Sequence, residues 1–196
     1  QATVDNLETA FGVNHVAHTL LVTQLINILK ASAPASIVLS SSSHGVRQID
    51  SALPLQSKFT CLCPSPDSVA IGYKLYSLSK MCNFLTVRKL HRLYGDQGVS
   101  TYAVHPGECI PTSDNCTSNK NGLTNISDID RISKNLSQGA ATTVLFAVRR
   151  EVENISGKYW QDCREAENST DPLAKDIYIK DALYEKTLEL TQKYVK

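Results

Sequence analysis

Apolar residues recur at intervals of three and four from the start of the chain. Leu7, Phe11, Asn14, His18, Leu21, Leu25, Ile28 and Leu29 share one face, which predicts a single helix over residues 3–31. Asn14 and His18 sit on that mostly apolar stripe. A buried amide without partners is costly, so Asn14 is either satisfied structurally or placed for use. Pro34 closes the helix. The pattern then changes. Ile37, Val38 and Leu39 form an unbroken apolar run inside Ala35–His44, which suits a short strand buried on both faces. Serines 40 to 43 follow at its carboxyl end, where open α/β sheets bind ligands.

Residues 45–69 show no clear period and read as a long loop. Pro66 and Asp67 offer an entry to a second long helix, 67–95, whose stripe runs through Leu78, Met81, Leu85 and Leu90 to a stop near Gly95. Val99–His105 reads as a strand ended by Pro106-Gly107. Residues 108–135 are polar and aperiodic, a mobile surface segment. A helix over 137–150 follows, with Ala140, Val144, Leu145 and Val148 inward. Gly157–Trp160 is a third strand. Asp171-Pro172 opens a last helix with Leu173, Ile177, Tyr184 and Leu188 on its stripe, within residues 171–196. Helix and strand thus alternate throughout, which implies a layered α/β fold on a parallel sheet.

One pair of residues carries chemistry. Tyr76 precedes Lys80 by four positions, so on a helix the two side chains stack on one face. A free phenol with a pKa of about 10 is a poor base at neutral pH. A fixed ammonium beside it favours the phenolate and makes the pair a candidate acid/base for an alcohol or carbonyl. An ordinary surface pair at helical spacing has the same signature.

Bulk properties narrow the picture further. With 196 residues, a net charge of +1 and 42% hydrophobic residues, the chain is about one ordinary globular domain. Nothing points to a nucleic-acid partner, and no apolar run is long enough to span a membrane. The six cysteines show neither zinc spacing nor a disulfide framework and read as reduced intracellular thiols. Sequons beginning at Asn115, Asn125, Asn135, Asn154 and Asn168 pull the other way. Gln1 is not an initiator, and the chain reads as starting inside something longer.

Taken together and in this order, the motifs resemble the short-chain dehydrogenase/reductase superfamily over nearly the whole chain. Phe11-Gly-Val-Asn14-His15 is similar to the helix motif carrying that family's active-site Asn. Ile37-Val-Leu-Ser-Ser41 is similar to the strand ending in its Ser, Tyr76-x-x-x-Lys80 to its signature, and Val104-His-Pro-Gly107 to the segment lining the nicotinamide. Gln138-Gly-Ala-Ala-Thr-Thr143, the long loop after Ser41 and Gly157-Lys-Tyr-Trp160 further resemble the branch that holds the retinol dehydrogenases and the WW-domain-containing oxidoreductases.

The resemblance implies a Rossmann-type doubly wound parallel sheet, present here as its C-terminal part in one partial domain, 1–196. It implies NAD or NADP as cofactor, with NADP favoured by the branch, and a lipid-like alcohol or carbonyl as small-molecule substrate. Tyr76 would be the acid/base. Lys80 would lower its pKa and hold the nicotinamide ribose, Ser41 would bind the substrate oxygen, and Asn14 would hold a water linking Lys80 to solvent. Tyr76, Lys80, Pro106, Gly107 and Thr112 would contact the cofactor. Ser41 is chosen over Ser40, Ser42 and Ser43 as the strand's last inward position. Segment 108–135 would shape the substrate pocket.

The chain also departs from the family pattern. No Gly-rich dinucleotide loop is present, Glu108 puts a carboxylate near the nicotinamide amide, and Pro111 displaces the usual Ser/Thr so that Thr112 stands in. An inactive binding or scaffold protein, or a truncated isoform, is therefore an alternative. Reduced thiols go with a cytoplasmic location, the branch implies protein partners for N-terminal modules, and the family resemblance implies a homodimer through helices 3–31 and 67–95. Half a sheet would expose an apolar strand edge and helix face.

Overall fold

The computed structural model describes residues 2–43, 49, 52–68, 70, 72–107, 134–149, 152, 155–170 and 172–195. Three strands in chain order, β1 (Ala35–Ser40), β2 (Val99–His105) and β3 (Lys158–Gln161), pair in parallel as β1-β2-β3. A two-residue strand, β4 (Arg164–Glu165), folds back antiparallel on β3, an addition the sequence pattern did not signal. Among the described residues β1 pairs on one side only, with β2. The parallel order confirms the expected Rossmann-like sheet.

Strand alternation sorts the core into two layers. Ile37, Leu39, Val99, Ala103 and Tyr159 join the larger cluster, whose centre is α3 (Gly72–Tyr94). Val38, Tyr102, Val104 and Trp160 face the other way, onto α4 (Leu136–Val148). β2 is buried at every position. Its polar members are buried with the rest, and the hydroxyl of its inward Thr101 is satisfied by the Val87 carbonyl at 2.9 Å. α3 is buried along most of its length, with Met81, Cys82, Phe84, Leu85, Val87 and Leu90 at 1% exposure or less. It begins at Gly72 rather than at residue 67.

The first helix differs from its expectation in an instructive way. α1 starts at Thr9, where the Glu8 carboxylate accepts the Ala10 and Phe11 amides. It runs as Thr9–Phe11, then a π-helical turn over Gly12–Val16, then Ala17–Ala31. A π-turn adds one residue, which rotates everything after it by about 100°. The expected stripe of Asn14, His18, Leu21, Leu25, Ile28 and Leu29 is therefore displaced by one, with Leu29 common to both. His15, Thr19, Val22, Ile26 and Leu29 turn inward, and Leu21, Leu25 and Ile28 are 56%, 40% and 62% exposed.

Two other expectations are corrected. The stretch read as loop contains α2 (Leu55–Leu62), an eight-residue helix that buries Leu62 against α3. Two turns are too few for periodicity to stand out. On α4 the inward residues are Gly139, Thr142 and Phe146, whereas Ala140, Val144 and Val148 are exposed. Phe146 decides this, because its ring packs 4.4 Å from Tyr102 and 4.7 Å from Trp160.

The last helix, α5 (Ile177–Thr191), starts after Asp176, whose carboxylate caps the Tyr178 and Ile179 amides; Pro172 opens a 3-10 turn instead. Its inward side is Ile179, Leu183, Tyr184 and Thr187, with Ile177 exposed.

Cys61, Cys63, Cys82 and Cys163 are free thiols, and burial pushes Cys63 up to about 12. Among the described residues no helix is long and apolar enough to cross a membrane.

α4 opens on a reciprocal cap. Asn135 Oδ1 accepts the Gln138 amide at 2.9 Å, and Gln138 Oε1 accepts the Asn135 amide at 3.0 Å. Asn135→Ala should cost about 1 kcal/mol, a loss of a few degrees in thermal midpoint. An unchanged midpoint by circular dichroism would mean that packing of Phe146 alone sets the helix start.

Candidate active site

The carboxyl ends of β1 and β2 and the first turns of α3 meet at one place, as the topology of a parallel sheet requires. Ser41, Ser42, Tyr73, Tyr76, His105, Pro106 and Gly107 line a cavity of about 160 Å³ there. Tyr76, Ser41, Pro106 and Gly107 come from the sequence reading, so four expected residues converge. Ser42 is one of the serines passed over for Ser41, His105 lies inside the Val104-His-Pro-Gly107 motif, and Tyr73 has no part in the sequence reading. Tyr73 lies one turn before Tyr76 on the same helix, and His105 ends a strand.

Helical spacing places Lys80 beside Tyr76, its Nζ 5.5 Å from the centre of the phenol ring. Burial lowers the Lys80 pKa from its ordinary value, since the charged form loses water. The ammonium also approaches the Ser40 hydroxyl at 3.5 Å. Tyr76 itself is 41% exposed, so its phenol faces open space rather than core.

Ser41 is 1% exposed and doubly anchored. Its amide donates to the Val104 carbonyl at 2.8 Å, and its hydroxyl to the Lys80 carbonyl at 2.9 Å. The strand end is thereby tied to the helix that carries the Tyr–Lys pair. Asn83 adds a third tie, its Nδ2 donating to the Ser40 carbonyl at 3.0 Å.

The π-turn of α1 brings Asn14 to the same helix. Asn14 Nδ2 donates to Ser79 Oγ at 3.0 Å, and Ser79 Oγ donates to the Tyr76 carbonyl at 2.7 Å. Asn14 thus reaches the Tyr76 turn through Ser79, while its own carbonyl meets His18 Nδ1 at 2.9 Å. The neighbouring His15 points the opposite way, into the core, where its Nε2 lies 2.9 Å from Thr187 Oγ1. The Thr187 hydroxyl also donates to the Leu183 carbonyl at 2.8 Å, which ties the contact to α5.

Gly107 ends the wall. Its φ of +90° lies in the left-handed region, and a Cβ there would stand 2.7 Å from Lys134 Nζ. Thr112, Glu108 and Pro111 lie outside the described residues.

No protein-family model matches the chain. The WW domain-containing oxidoreductase of Homo sapiens is 38% identical over 163 residues, which cover 82% of this chain and 38% of that protein. Retinol dehydrogenase 12 of Mus musculus is 37% identical over 164 residues, covering 83% of this chain and 48% of that one. The chain therefore spans less than half the length of either relative. An NADPH-bound carbonyl reductase from chicken fatty liver superposes with a TM-score of 0.51 over 84% of this chain and 59% of that one, at 17% identity, a likeness of fold. With two relatives at 38% and 37% identity along four-fifths of its length and a matching sheet, the chain belongs to the short-chain dehydrogenase/reductase superfamily.

Proposed function

We propose that the whole protein is a nicotinamide-dependent oxidoreductase that interconverts an alcohol and a carbonyl compound, with Tyr76 as its acid/base. The observation that carries this reading is the convergence of Tyr76, Ser41, Pro106 and Gly107 on one cavity with Lys80 against the phenol ring. The nicotinamide supplies or accepts the hydride; every other task falls to side chains. Tyr76 takes the hydroxyl proton of the alcohol and returns it to the carbonyl oxygen in reverse. Lys80 favours the phenolate by its charge. Ser41 steadies the substrate oxygen once its hydroxyl turns from the Lys80 carbonyl toward the cavity. Asn14 fixes the Tyr76 turn through Ser79.

Tyr76, Lys80, Pro106, Gly107 and Thr112 would hold the cofactor's reactive end, and NADP is favoured over NAD by the branch. The branch likewise favours a steroid- or retinoid-like substrate, and the reading of the cysteines as reduced thiols favours a cytoplasmic location. The homodimer reading now rests on α1, whose Leu21, Leu25 and Ile28 are exposed, because α3 spends its apolar positions inside its own protomer.

The alternative reading is a protein without turnover. A protein that keeps the fold as a binding scaffold would look the same here. Fluorescence titration of the full-length protein with NADH and NADPH separates the two. Saturable micromolar quenching, tighter with NADPH, is the expected result, and no binding of either nucleotide would leave the scaffold reading.

A further inference from the structure

We propose that Lys134 is a positioning residue that latches the Pro106-Gly107 turn to the tip of the β3–β4 hairpin and so holds the wall of the Tyr76 cavity. The inference rests on the reading above only in that this wall matters to a ligand there. Lys134 Nζ donates to the Pro106 carbonyl at 3.1 Å and forms an ion pair with Asp162. Its stem lies flat on the bare face of Gly107, since a Cβ at that glycine would stand 2.7 Å from both Nζ and Cε and 2.8 Å from Cδ. The lysine side chain is 21% exposed, so stem and charge are both partly withdrawn from water.

The partner end is built to receive it. Asp162 and Cys163 form the hairpin tip with φ of 54° and 59°, a left-handed conformation that non-glycine residues hold only when the surroundings impose it. The Cys163 amide donates to Thr142 Oγ1 at 3.1 Å, which fixes the tip to α4. Pro106 follows the last strand residue, so its carbonyl has left the β ladder, and Lys134 supplies the donor it needs. Lys134 holds the Asp162 carboxyl below its ordinary range, and the field of His105, a cavity-lining residue, acts in the same direction. The latch therefore runs from α4 through the hairpin tip and Lys134 to the turn that faces Tyr76.

Lys134→Met keeps the stem over Gly107 and removes charge and donor. Amide hydrogen exchange on the full-length protein should then quicken about fivefold or more at Gly107, Asp162 and Cys163. Exchange at Tyr102 to Val104 should stay unchanged. Lys134→Arg should return the turn to within about twofold of wild type, and Asp162→Asn should loosen it without adding to Lys134→Met. Wild-type exchange at Gly107 in Lys134→Met, or quickening spread equally through β2, overturns the latch. In the full-length protein the same variant should raise the cofactor KM more than it lowers kcat. A loosened turn with unchanged KM overturns the positioning role. An inactive wild type counts against the oxidoreductase reading alone, because the exchange experiment still decides the latch.

Discussion

Tyr76→Phe in the full-length protein should lower turnover by about 10²- to 10⁴-fold, the range for removing a positioned acid/base. Nucleotide affinity should stay within about twofold. The phenol oxygen is all that is removed; the ring stays over Lys80, and the side chain is 41% exposed, so little folding energy depends on it. Lys80→Met makes the complementary test. Without the cation the phenol pKa rises, so the pH at which turnover is half-maximal should move upward. Wild-type turnover in Tyr76→Phe would sink the proposed mechanism. A full loss of nucleotide binding instead would recast the residue as part of the binding surface.

The largest effect on stability is expected from acid, through His15. Its ring is fully enclosed and its pKa is lowered to about 4, chiefly because burial disfavours the charged form; the Asn83 side chain opposes this and His18 reinforces it. The unfolded chain binds the proton near the ordinary value of about 6.5. The depressed folded pKa therefore contributes stability that is fully present above about pH 6.5 and is lost as pH falls toward about 4. The difference amounts to on the order of 3 kcal/mol. Asp162 and Asp181, whose carboxyls are held low by lysine and arginine partners, lose their share at still lower pH. Urea unfolding of the chain at steps from pH 7.5 to 4 should show this slope, and His15→Gln should flatten it. The same slope in both proteins would assign acid sensitivity to other groups.

Much of the site was legible because its chemistry coincides with local periodicity. Tyr76 and Lys80 are four apart on a helix, and Ser41 and Pro106-Gly107 end apolar runs, so element ends placed them without tertiary knowledge. What escaped depends on contacts between distant segments. Asn83 is an interior helix position by pattern, yet it serves the end of β1. Lys134 is one lysine among many until Asp162 and Gly107 come beside it. On α4 the apolar count favoured Val144 and Val148, but aromatic packing on Tyr102 and Trp160 turned Phe146 inward. The shift in α1 had no sequence signal at all, since a π-turn leaves the residue types unchanged and alters only the count per turn.

That extra residue gives two adjacent side chains opposite employments. Asn14 serves the Tyr76 turn while His15 anchors α5 through Thr187. On the helix drawn from the sequence alone, the inward position belonged to Asn14, and the histidine stood aside. The written sequence thus contains two interleaved amphipathic helices, one headed by Asn14 and continuing to Ile28, the other headed by His15 and continuing to Leu29. The fold uses the second and, beyond Asn14, leaves the first as an outward-facing surface. A single-residue insertion or deletion near Val13 would exchange the two, trading interior for exterior along the whole helix. α1 is in this sense a text with two reading frames, and the wide turn is the punctuation that selects one.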